Sequence, residues 1–101
     1  MTREKVPTLA EAPRPLGGPL RDWLKRLADL QHDTEWYAKR CEYPEAMQTH
    51  GVLREELARL EREHPRLVRE YEQGMGFTLL DAANEGSRRA AEYMRLFCGC
   101  K

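Results

Sequence analysis

Apolar and near-apolar positions recur at alternating gaps of three and four along three long stretches of the chain. The first seam reads Leu20, Trp23, Leu27, Leu30, Thr34, Tyr37 and Cys41, widened by Leu24 and Ala38. The second reads Ala46, His50, Leu53, Leu57, Leu60 and His64, and the third Leu80, Ala83, Ser87, Ala90, Met94 and Phe97. Such spacing lays one stripe along one side of an α-helix. The pattern predicts helices over residues 20–41, 44–64 and 77–97. Pro44 suits the first turn of a helix, whereas Pro65 must end or kink one. The second seam stays in phase through Leu67 and Tyr71, so a kinked continuation to Gln73 fits as well as a clean stop. Gly74-Met75-Gly76 is the next turn signal. Gly86-Ser87 interrupts the third seam without shifting its phase, which predicts one continuous helix there.

Each of these helices would be about 31–33 Å long at 1.5 Å per residue. Equal lengths and short connectors predict antiparallel neighbours. The expected fold is therefore all-α, an antiparallel three-helix bundle over residues 20–101. Residues 1–19 hold Pro7, Pro13, Pro15, Pro19, Gly17 and Gly18. That density of prolines and glycines predicts a flexible N-terminal arm. Its alternative role is docking on a partner or neighbouring subunit through Val6, Leu9 and Leu16.

Composition strengthens the helical reading. There are thirteen Leu and ten Ala, no Ile and only three Val, so β-branched apolar residues are almost missing. Thirteen Arg against four Lys hint at a GC-rich genome, of bacterial or phage type. Seventeen basic residues balance seventeen acidic ones, which argues against a dedicated nucleic-acid binder. Arg88, Arg89, Arg95 and Lys101 make only a modest local excess near the C-terminus. No apolar run approaches the ~18 residues of a membrane span, and no leader pattern opens the chain. A cytoplasmic protein is expected.

The candidate chemistry is sparse. Three cysteines, Cys41, Cys98 and Cys100, are an odd number, which does not suggest a disulfide framework. In an up-down-up bundle Cys41, Cys98 and Cys100 gather at one pole, with His50 about 9 Å down the second helix. That set could hold zinc, although its spacing departs from the usual close ligand pairs. The carboxylate–histidine pairs Asp29/His32 and Glu61/His64 fall at different levels and cannot share a metal within one chain. Glu55, Glu56, Glu61, Asp81 and Glu85 sit among arginines and read as paired surface charges. The one serine, Ser87, lies within a helix seam, and no phosphate-binding loop occurs. No cofactor is expected.

Two surfaces remain. His32, Trp36, Arg40 and Tyr43 form a stripe off the first seam, rich in the residue types that dominate binding hot spots. Ala82, Gly86 and Ala90 form a row of small residues on the third helix, beside Ala83, Ser87 and Ala91. Such rows allow close approach of a second helix, from the same chain or from a homodimer partner. The expected function is non-enzymatic: a small accessory subunit or inhibitor that binds a larger protein, with zinc or thiol chemistry as the alternative.

Overall fold

The computed structural model describes residues 6–98. These form four helices and no strand: α1 (Pro19–Lys39), α2 (Tyr43–Glu63), α3 (Pro65–Met75) and α4 (Leu79–Phe97). Helix ends follow local chemistry. Pro19 occupies the first turn of α1, and Gly18 turns the chain into it with φ 85°, a conformation that favours glycine. His64 stands at φ −135° and ψ 56°, outside the helical region that a following proline disfavours. Pro65 therefore stops α2 and opens α3. Gly76 closes α3 at φ 83°, donating its N–H to the Glu72 carbonyl over 2.9 Å. Two side chains then cap α4. Thr78 Oγ1 accepts from the Asp81 N–H at 3.0 Å, and Glu72 Oε2 accepts from the Leu79 N–H at 2.8 Å.

The described residues thus form four helices where the periodicity predicts three. The in-phase seam through Leu67 and Tyr71 records that α3 also has an apolar side. It does not record the change of direction at His64.

α1 packs against both α2 and α4, while α2 and α4 touch each other far less. The main core joins Leu20, Leu24 and Leu27 of α1, Leu53, Leu57 and Leu60 of α2, and Leu79, Ala82 and Ala83 of α4. Val68 and Tyr71 of α3 complete it. A second, smaller cluster lies towards the other end of α1, built on Ala38, Ala46 and Ala90 with Tyr37, Tyr93 and Met94 around them.

The segment before α1 departs from the flexible arm that its prolines predict. Leu9 is 1 % exposed and belongs to the main core, with Thr8 and Ala12 buried beside it. Pro13 offers its carbonyl to the Tyr71 hydroxyl, and Glu11 pairs with Arg89 of α4 at 2.7 Å. The prolines keep a long helix from forming here, but residues 8–12 close a turn, with the Glu11 and Ala12 N–H groups both donating to the Thr8 carbonyl at 3.0 Å, and that turn fills a gap between the helices. Leu16, by contrast, is fully exposed.

Candidate interaction surface

α1 and α2 meet at a tight corner over residues 40–42. Cys41 there has φ 64°, the single positive φ among the described non-glycine residues. Arg40 bridges Glu42 at 2.6 Å, and the Glu42 N–H donates to the Tyr37 carbonyl at 2.9 Å. These bonds hold the corner and set the side chains around it.

Trp36 lies on the outer side of α1 and is 54 % exposed. Its indole meets the Tyr37 ring edge-on at 5.2 Å, and the Arg40 guanidinium stacks over it at 4.6 Å. Cation–π stacking at such an exposed site is worth about 0.5–1 kcal/mol. It favours this arrangement of the two side chains over others. Tyr43, in the first turn of α2, is 57 % exposed, and Met47 one turn later is also exposed. His32, one turn before Trp36, is exposed as well. His32, Trp36 and Arg40 follow one another at four-residue steps on the outer side of α1, whereas Tyr43 and Met47 are exposed on α2, where both also line a cleft between α2 and α4. Met47 was not legible in the sequence, because it lies off the α2 seam and only its exposure draws attention to it.

The row of small residues on α4 faces α1. Ala82, Gly86 and Ala90 are all buried within the chain. A Cβ added at Gly86 would lie 2.1 Å from Gln31 Oε1 of α1. The row lets α1 and α4 approach closely, the within-chain contact that such small residues allow.

The cysteines are corrected too. Cys41 and Cys98 form a disulfide, with Cα atoms 5.5 Å apart across 57 residues of chain. Their sulfurs bond each other, so they do not stand as two thiolates for zinc with His50; Cys100 lies outside the described residues. No cluster of three or more metal-ligating side chains occurs among the described residues. Cys41 and Cys98 do meet at one pole, as the up-down-up helix order predicts. The odd count misled because it says nothing about whether two of three cysteines meet.

Of the carboxylates singled out in the sequence, Glu56 and Glu85 are paired with arginines. Glu56 is buried, against a surface expectation, and bridges Arg26 at 3.0 Å and Arg59 at 3.6 Å. Glu85 bridges Arg88 at 2.6 Å and Arg89 at 3.1 Å. Those hydrogen bonds, from Arg88 foremost, hold the Glu85 carboxyl down to about 2.

Beside the alanine cluster, α2 and α4 stand apart over α1 and leave a cleft of about 150 Å³. Ala46 and Met47 line one wall, Ala90, Ala91 and Met94 the other. His50, which the sequence placed in a metal set, faces this cleft instead. Both its ring nitrogens are shielded from solvent and have no hydrogen-bond partner among the described residues. Burial pushes its pKa below the ordinary histidine value, and the nearby Arg54 charge adds to this.

No protein family, curated protein or solved structure matches this chain. No helix among the described residues is long and apolar enough to cross a membrane.

Proposed function

We propose that this chain is a non-enzymatic protein-binding module, an accessory subunit or inhibitor of a larger bacterial or phage-host protein. Its binding surface is the α1–α2 corner, with Trp36, Arg40 and Tyr43 as anchors and His32 and Met47 beside them. The frame is a three-helix arrangement of α1, α2 and α4, with α3 at its side.

The observation that carries this reading is the exposure of Trp36 with Arg40 stacked on it. A tryptophan gains free energy by burial in proportion to its large apolar area. This chain leaves more than half of it in water while spending two bonds on ordering the adjacent corner. Tryptophan, tyrosine and arginine are also the residues whose truncation costs most at protein interfaces.

The test is affinity capture from a lysate of the source organism, followed by binding measurements with the purified partner. A single stoichiometric partner is expected, with affinity reduced by about 2 kcal/mol or more, roughly 30-fold, in Trp36→Ala. Leu80→Ala, an exposed change on α4, serves as the control and should bind normally. Equal binding by wild type and Trp36→Ala would refute the assignment of this surface.

A further inference from the structure

α1 ends at its corner with α2 through a pair of bonds that usually close over glycine. The Cys41 N–H donates to the Ala38 carbonyl at 3.1 Å, and the Glu42 N–H reaches back to the Tyr37 carbonyl at 2.9 Å. Such a pair needs the residue at position 41 in the left-handed region, and Cys41 stands there at φ 64°. A side chain crowds the backbone in that conformation, which is why glycine is its common occupant. This chain has a cysteine instead, and its sulfur is bonded to Cys98 at the end of α4. The bond helps to hold residue 41 in a conformation that its own side chain disfavours.

Little else ties this pole together. Ala38, Ala46 and Ala90 make a small cluster beside the bond, whereas leucines build the main core. Tyr37, Tyr93 and Met94 pack around the cluster only partly buried, and Lys39 stacks over Tyr93 at 4.5 Å. Leu96 and Phe97, in the last turn of α4, are exposed, so apolar burial does not anchor that turn. No ion pair among the described residues joins α4 to the corner. The residues around Cys41 are the candidate surface itself. Arg40 stacks on Trp36 and bridges Glu42, and Tyr43 follows Glu42. A change of backbone conformation at residue 41 therefore moves Glu42 and Tyr43 relative to Trp36 and Arg40. Cys41 is exposed, so a thiol in solution can reach it.

We propose that the Cys41–Cys98 bond is a redox switch: a dithiol reductant opens it, residue 41 leaves the left-handed region, and the arrangement of Trp36, Arg40, Glu42 and Tyr43 comes apart while the main core stays folded. One thiolate of the reductant attacks the Cys41 sulfur, the S–S bond breaks, and Cys98 leaves and takes up a proton. The second thiol then displaces Cys41 from the mixed disulfide and closes the reductant's own disulfide. Two electrons and two protons thus pass to the chain. Both cysteines stand at helix C-termini, where the dipole disfavours a thiolate. That suits a bond which other thiols open better than it suits a thiol catalyst. Control of partner binding by this switch rests on the function proposed above; its effect on the corner does not.

The experiment is NMR of the full-length chain, oxidised and then reduced with dithiothreitol, with amide exchange measured in both states. Reduction should abolish the left-handed signature at residue 41 and shift the Trp36 indole N–H and Arg40 Nε–H signals. Exchange at the Glu42 amide should speed up by about tenfold or more. Amides of Leu24, Leu53 and Leu79 in the main core should keep their positions. Two variants separate the backbone conformation from simple loss of a cross-link. Cys98→Ser, combined with Cys100→Ser to prevent a substitute bond, should resemble the reduced protein at the corner. Cys41→Gly also has no bond, yet its corner should stay ordered, because glycine accepts φ 64°. A corner unchanged by verified reduction overturns the proposal, as does loss of signal dispersion throughout the chain or a disordered corner in Cys41→Gly. Affinity for the captured partner is read separately and should fall on reduction. Equal affinities in the two redox states refute control of binding, whereas unaltered binding by Trp36→Ala refutes the surface and leaves the switch at the corner standing.

Discussion

Gly86 of α4 and Gln31 of α1 occupy adjoining space so tightly that a Cβ on the glycine would stand 2.1 Å from the Gln31 side-chain oxygen. In an open helix, Gly→Ala stabilises by about 1 kcal/mol. Here the Gln31 side chain is fully buried, so its amide end must shift within packed surroundings to admit the methyl group. Gly86→Ala should therefore destabilise the fold, by about 1–3 kcal/mol as in other overpacked cores. In the double variant with Gln31→Ala the cost should largely disappear. Urea unfolding of the four proteins in this cycle measures the coupling, and additive effects would show that the contact is not close.

The Cys41–Cys98 disulfide ties the end of α4 to the α1–α2 corner across 57 residues. Closing a loop of that size removes freedom chiefly from the unfolded chain, and the stabilisation is about 2–4 kcal/mol. Cys98→Ser, or reduction of the wild type, should lower the unfolding free energy by that amount. Exchange of amide hydrogens should rise first around Ala38, Ala46 and Ala90, the small cluster nearest the bond. A non-reducing peptide map that fails to link Cys41 with Cys98 would refute the pairing.

The segment before α1 is part of the core. Leu9→Ala should cost about 2–5 kcal/mol, the range for truncating a buried leucine. Leu16→Ala, at a fully exposed position, should change stability by less than about 0.5 kcal/mol. Thermal melts of the two variants separate a docked segment from a free one. Equal melting temperatures would return the segment to the status of a loose arm.

Acid should weaken the contact between this segment and α4. Glu85 is held at about 2 against an ordinary 4.5, and Glu11 is lowered chiefly by its hydrogen bond to Arg89. A depressed carboxyl pKa means that the unfolded chain takes up the proton first as pH falls. The pairing therefore stabilises the fold above pH 4.5 and loses that contribution progressively down to about pH 2. Melting temperatures across this window should fall more steeply for the wild type than for Glu85→Gln. Parallel curves would show that Glu85 carries none of the dependence.

His50 should leave its own mark nearer neutrality. Burial lowers its pKa below 6.5, so the unfolded chain again protonates first. Its contribution to stability is complete above pH 6.5 and declines as pH drops below that value. In His50→Leu the decline just below pH 6.5 should be smaller, as followed by urea midpoints at fixed temperature. An identical pH profile in the variant would refute this effect of burial.

What the amino-acid sequence determined by itself is local. The three-and-four spacing of Leu24, Leu27, Leu53, Leu57 and Leu60 marks helix faces, because each depends only on residues within one or two turns. Pro19, Pro44 and Gly76 mark helix ends for the same reason, through their own backbone geometry. The Trp36 stripe is legible as a departure from its seam, but the same spacing would suit packing against a third helix, so its exposure is not. Tertiary structure alone decided the rest. Pro65 is compatible with a kink or a stop, and packing of α3 against the main core selects the stop. Leu9 looks like one apolar residue in a proline-rich tail until the helices leave a gap that it fills. The small residues around Gly86 could have faced a second copy, and Gln31 of α1 takes the place instead. Cys41 meets Cys98 and His50 meets a cleft because of where three helices end and how far apart two of them stand. Those are distances between parts of the chain remote in sequence, and periodicity carries no information about them.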